Sequence, residues 1–96
     1  ELSLGENGID DAATQQLATV LQSNSTVTSL NLAFNRVQDV GAQHIARALE
    51  CNGSLRTLDL RNNRLTDVGA RHLATALASN SALTAFNLSG NFVQDE

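Results

Sequence analysis

The chain spells one pattern repeatedly at a fixed distance. Val27 to Ala42 reads VTSLNLAFNRVQDVGA, and 28 residues on Leu55 to Ala70 reads LRTLDLRNNRLTDVGA. Asn7, Asn35, Asn63 and Asn91 stand 28 apart, as do Leu4, Leu32, Leu60 and Leu88, and Asp11, Asp39, Asp67 and Asp95. Leu2, Leu30 and Leu58 are followed at the same interval by Phe86. Residues 29–56 and 57–84 are identical at 14 of 28 positions. A period in this range signals equivalent units, each too small to bury its own apolar face, that build a continuous core by stacking. The 96 residues divide into units of about 1–28, 29–56 and 57–84, with a partial fourth over 85–96, all in one segment.

Each unit has two halves. Leu58-Asp59-Leu60 alternates apolar and polar, the spacing of a strand. Ala42, Ile45, Ala46 and Leu49 fall at i, i+3, i+4 and i+7, the spacing of a helix. Asp39 stands just before that helix, where a carboxylate is expected to cap free N–H groups and meet the positive end of the dipole. Asn52-Gly53 follows it, where a left-handed residue is expected to end a helix. The spacing predicts strands near 2–4, 29–32, 57–60 and 85–88, and helices over 12–23, 40–51 and 68–79.

Strand, helix, strand in constant order implies parallel strands with the helices on one face. Neighbouring strands sit about 4.8 Å apart, whereas packed helices need about 8–10 Å. The helix side is therefore the wider, and the stack curves with its strands inside. Alanines at 42, 46, 70 and 74 favour close helix packing. The recurring asparagine lies where each strand ends and backbone groups lose their ladder partners. An amide both donates and accepts, so Asn7, Asn35, Asn63 and Asn91 are expected to form a structural ladder serving their own turn and the next.

Leu55-x-x-Leu58-x-Leu60-x-x-Asn63-x-Leu65 resembles the leucine-rich repeat. The period of 28 and the helix signalled by Asp67-Val68-Gly69-Ala70 resemble the ribonuclease-inhibitor-like subfamily. Ala48-Leu49 to Asn52 and Ala76-Leu77 to Asn80 resemble the repeats of cytosolic NOD-like receptors. The resemblance implies an α/β fold, a right-handed leucine-rich-repeat solenoid or horseshoe segment with parallel strands inside and helices outside. It implies a non-enzymatic protein-protein interaction module that presents a concave sheet surface to a protein partner, in the cytoplasm. Two rivals follow from the same resemblance: a GTPase-activating fragment like the Ran activators, for which no family-specific catalytic residue can be matched here, and a structural spacer within a larger receptor or scaffold. Neither end carries a cap with a polar outer face, so the segment reads as an excerpt of a longer solenoid, with self-association through its uncapped ends as the expectation.

Charge and composition narrow the function classes. A net charge of −4 without a single lysine argues against non-specific nucleic-acid binding. No apolar run approaches the roughly 20 residues of a membrane span. A lone cysteine, Cys51, cannot form an internal disulfide, which favours a reducing, intracellular setting. Cys51 and His44 lie about 10 Å apart along one helix, too far for a nucleophile and its base. His44 and His72 share a slot on neighbouring helices, whose spacing of about 8–10 Å is wide for two metal ligands. No Gly-rich phosphate loop is present. No catalytic residue, metal or cofactor is expected.

The strand leucines point into the core, so their neighbours form the inner face: Glu1, Ser3 and Gly5; Ser29, Asn31 and Ala33; Thr57, Asp59 and Arg61; Ala85, Asn87 and Ser89. Most are small and polar. Beside this face run the turns, where Phe34 stands in a column with Glu6, Asn62 and Gly90, and Phe92 in a column with Gly8, Arg36 and Arg64. Aromatic residues and arginine are enriched at interface hot spots. The candidate protein-binding residues are Phe34, Arg36, Asp59, Arg61, Arg64 and Phe92. The plainer reading is that Phe92 packs under its turn and the arginines are solvated.

Overall fold

A computed structural model describes residues 2–92. Glu1, expected on the inner face, and Asp95, expected in the aspartate row, lie outside the described residues. The elements alternate: β1 (Leu2–Ser3), α1 (Asp11–Ser23), β2 (Ser29–Asn31), α2 (Asp39–Cys51), β3 (Thr57–Asp59), α3 (Asp67–Ser79) and β4 (Ala85–Asn87). The strands form one parallel sheet in the order β1-β2-β3-β4. Leu2 pairs with Leu30, Leu30 with Leu58, and Leu58 with Phe86. The register is the sequence period itself. The result is a short right-handed α/β horseshoe, with strands inside and helices outside.

The core lies between the two layers. Leu30, Leu32, Leu58 and Leu60 come from the strand side; Ile45, Leu49 and Leu73 come from the helices, with Val37, Leu55 and Leu65 closing the coils. Burying each of these side chains is worth about 1.5–3 kcal/mol. Ala42, Ala46 and Ala48 of α2 are buried, since helices pack on both sides of it. The equivalent face of α3 is more open: Ala70 is half-buried and Ala74 exposed.

Hydrogen bonding between coils continues past the strands. Leu32 N–H donates to Asp59 O at 2.8 Å, Phe34 N–H to Arg61 O at 2.8 Å, and Arg64 N–H to Val37 O at 2.9 Å. Asparagine side chains join the same stack. Asn35 Oδ1 accepts from Asn7 N–H at 3.0 Å and Ile9 N–H at 2.9 Å, while its Nδ2 donates to Leu4 O and Leu32 O. Asn63 Oδ1 accepts from Val37 N–H at 3.0 Å, and its Nδ2 donates to Leu32 O at 2.9 Å and Leu60 O at 3.1 Å. Asn91 repeats this toward Asn63 N–H and Leu65 N–H, at 3.1 and 3.0 Å. Asn7 is exposed, and its side chain makes no hydrogen bond among the described residues.

Two local expectations are corrected. Asp39 does not cap its own helix: it is the first residue of α2, whose N-cap, Gln38, has no side-chain cap bond. Its carboxylate reaches one coil onward instead. Oδ1 accepts from Thr66 N–H at 2.8 Å and from Gly69 N–H at 3.0 Å, at the start of α3, and Oδ2 accepts from the Thr66 hydroxyl. Asp11 likewise accepts from Gln38 N–H at 2.7 Å, ahead of α2. The amides at the start of each of these two helices thus bond the aspartate of the preceding coil. Gly69 permits this approach, because a Cβ there would sit 2.5 Å from Asp39 Oδ1.

The helix ends are the second correction. Asn52 is extended, with φ −96° and ψ 126°, not left-handed, and among the described glycines only Gly8 and Gly90 have positive φ. The chain leaves each helix extended, and at α1 and α2 the asparagine amide of the following coil satisfies a last-turn carbonyl. Asn52 Nδ2 donates to Leu21 O at 2.8 Å and Asn24 O at 3.0 Å, and its Oδ1 accepts from Ser54 N–H and Leu55 N–H. Asn80 donates in the same way to Leu49 O and Asn52 O. Asn24, Asn52 and Asn80 are thus a second row of asparagines, on the opposite side of the stack from the first.

Candidate protein-docking surface

The inner face and the adjoining turn edge form two different surfaces. On the inner face, Ser29, Asn31, Thr57, Asp59, Ala85 and Asn87 line a shallow hollow of about 370 Å³ over the middle of the sheet. The three side chains that end the strands here are engaged by their own turns. Asn31 accepts from Ala33 N–H, Asp59 from Arg61 N–H and Asn87 from Ser89 N–H, at 2.9, 3.0 and 2.9 Å. Each thereby bonds the amide two residues on, which bends the chain out of the sheet. Ala33, expected on this face, is buried.

Asp59 and Arg61 satisfy each other. Arg61 Nε donates to both carboxylate oxygens at 3.0 Å, and Nη2 lies 2.9 Å from Oδ2. Hydrogen bonding to Asp59, reinforced by its charge, holds the Arg61 guanidinium above its ordinary pKa. At the surface such a pair adds little stability, but it cancels both charges as seen by an approaching molecule.

The turn edge is different. Phe34, Arg36 and Arg64 converge there with Glu6 and Asn62 around an open depression of about 430 Å³. Phe34 is 52% exposed. Its φ is 60°, and the same column is left-handed at Glu6 (62°), Asn62 (57°) and Gly90 (77°). The sequence carried a signal for this backbone state, since asparagine and glycine in one column mark left-handed positions. Arg36, Arg64 and Phe92 form the next row, each N–H donating to the preceding coil, at Ile9 O, Val37 O and Leu65 O. Phe92 is 65% exposed, so it does not pack under its turn. Arg36 and Arg64 form no ion pair among the described residues. Of the six candidate residues, then, Phe34, Arg36 and Arg64 gather at the turn edge. Phe92 extends the arginine row, and Asp59 and Arg61 sit apart as a closed pair on the inner face.

Other chemistry-bearing residues remain scattered. Cys51 is a free, exposed thiol. Among the described residues no three His, Cys, Asp or Glu side chains are grouped to hold a metal ion, and no helix is long and apolar enough to cross a membrane.

Parallel coils, the leucine core and the asparagine rows define a class, and the sequence agrees with it: residues 23–46 and 51–74, half of the chain, match the family model described as Leucine Rich repeat. The chain belongs to the leucine-rich-repeat family. Among solved structures it is similar to leiomodin-1 actin-binding site 2 (ABS2), with a TM-score of 0.90 and 25% sequence identity over 94% of this chain and 53% of the other. The chain thus spans about half the length of that structure. No curated protein sequence matches it.

Proposed function

We propose that the chain is a non-enzymatic protein-binding module that offers its inner sheet and turn edge to a protein partner. The observation that carries this reading is the likeness in fold, over nearly the whole chain, to a structure whose name describes an actin-binding site. Actin, or a protein with a similar surface, is the first partner to test. The candidate contacts are Phe34, Arg36, Arg64 and Phe92 on the edge, with Asp59 and Arg61 on the sheet. The 28-residue period favours a ribonuclease-inhibitor-like subfamily, and the lone cysteine favours a cytoplasmic setting. A standard interface uses about 20–30 residues a side. That is more than one edge of four short strands supplies, so the natural surface extends into further repeats of a longer solenoid.

The test is a titration of fluorescently labelled actin, as monomers and as filaments, with this chain. Saturable binding weakened by substitutions at the turn edge or inner face supports the reading. Binding to neither form removes actin as the partner. An accelerated GTP hydrolysis by small GTPases in the presence of the chain would overturn the non-enzymatic reading altogether.

A further inference from the structure

Phe34 occupies a backbone state that suits glycine or asparagine. A left-handed conformation costs a side-chain-bearing residue roughly 1–2 kcal/mol. The fold recovers little of it through burial, because the residue is half-exposed and no part of the buried core. The other described members of the column are Glu6, Asn62 and Gly90, so the slot does not need an aromatic ring. Strain of this kind at an exposed residue points toward function. Beside the ring stand two guanidinium groups, Arg36 and Arg64, one coil apart and without an ion-pair partner among the described residues.

Building on the protein-binding reading above, we infer that the turn edge docks an extended, acidic protein segment carrying one aromatic or aliphatic residue. Successive coils are about 4.8 Å apart at the strands, and carboxylates at i and i+2 of an extended segment point the same way about 6.6 Å apart. Two long, flexible arginines on adjacent coils can each meet one of them, with the bidentate geometry that guanidinium and carboxylate share. An apolar side chain next to that pair covers the Phe34 ring. Charge selects this occupant over a polyanion. Two carboxylates match the two arginines and leave no excess charge, whereas a phosphate-rich strand or an anionic membrane brings further negative charge against Glu6 in the same depression and the net −4 of the chain. Phe92 continues the arginine row and extends the apolar contact toward the next coil.

The test uses fluorescein-labelled ten-residue peptides read by anisotropy. One has two acidic residues, at i and i+2, next to a central leucine, and no other charge. The second replaces that leucine with serine, the third replaces the acids with lysines, and anionic vesicles of phosphatidylserine and phosphatidylcholine form a further arm. The inference expects the first peptide to bind most tightly, with affinity falling as salt rises. Phe34→Gly and Arg64→Ala should each weaken it about fivefold or more, a loss of about 1 kcal/mol. Equal binding of the serine peptide, stronger binding of the vesicles, or indifference to both substitutions overturns it. Sensitivity to Ala85→Tyr on the inner face, with indifference at the edge, also overturns it and leaves the protein-binding reading standing. So does saturable actin binding with no peptide bound. If neither actin nor any peptide binds, this inference falls and actin is removed as the partner.

Discussion

Asp39 and Gly69 join consecutive helices. The aspartate is the first residue of α2, and its Oδ1 accepts the Gly69 backbone N–H of α3 at 3.0 Å. The Asp-Val-Gly-Ala spelling therefore encodes a contact between coils. The aspartate of one coil reaches the glycine of the next, 30 residues later.

That contact makes Gly69→Ala a destabilising change. In an exposed helix interior, Gly to Ala gains about 1 kcal/mol. Here the new methyl meets the carboxylate, and we expect a loss of about 1–3 kcal/mol, the usual range for overpacking. Urea unfolding of Gly69→Ala, Asp39→Ala and the double variant checks it. The double variant should lose less than the sum of the singles, because the clash vanishes with the carboxylate.

Acid should release the same contact. Burial pushes the Asp39 carboxyl pKa up, but hydrogen bonds from the Thr66 hydroxyl, Thr66 N–H and Gly69 N–H, with His72 nearby, outweigh it and leave the value lowered. A carboxyl whose folded pKa lies below its unfolded one contributes stability above the unfolded value, and that contribution disappears as pH falls through the folded one. The difference in urea midpoint between the native chain and Asp39→Asn should be present at neutral pH and close in acid below the ordinary aspartate range. A difference that widened in acid would contradict the assignment.

Asn52→Ala should be costly although Asn52 is no part of the turn-edge asparagine row. Its buried amide serves Leu21 O, Asn24 O, Ser54 N–H and Leu55 N–H. Each buried group left unsatisfied costs about 1–3 kcal/mol. The helix ends of α1 and α2 should both lose amide protection in hydrogen exchange, since the side chain bridges them.

The strands and helices were legible because leucine spacing distinguishes the two halves of each coil. Observed strands end one residue before the expected limits, and each helix begins one residue earlier, at its aspartate. Asn24, Asn52 and Asn80 were also visible as a row 28 apart. Asn52 passed for a helix stop because asparagine before glycine suits a left-handed turn equally well. The reach of Asp39 was not legible: an aspartate at a helix start looks the same whether it caps its own helix or the next, and only the distance between coils decides. At the candidate surface, the sequence marked Phe34 and Phe92 as aromatic residues in otherwise polar columns. Whether Arg61 stood free or closed on Asp59 depended on rotamers that no spacing specifies.

Phe34→Gly separates folding from recognition. The glycine accepts φ 60° without the steric cost of a side chain, and the residue it replaces is half-exposed. Thermal stability should stay level or rise by up to about 1 kcal/mol. A clear loss in a melting curve would mean that the ring supports the turn.

Side-chain amides tie each coil to the next, and one comparison tests this directly. The same substitution is made at two equivalent positions, Asn63→Ala and Asn7→Ala, and urea unfolding is measured for both. Asn63 is buried and bonded to two coils, whereas Asn7 is exposed with its amide unengaged among the described residues. The expected loss is about 1–3 kcal/mol at Asn63 and under about 0.5 kcal/mol at Asn7. Equal losses at the two positions, or none at Asn63, would contradict it.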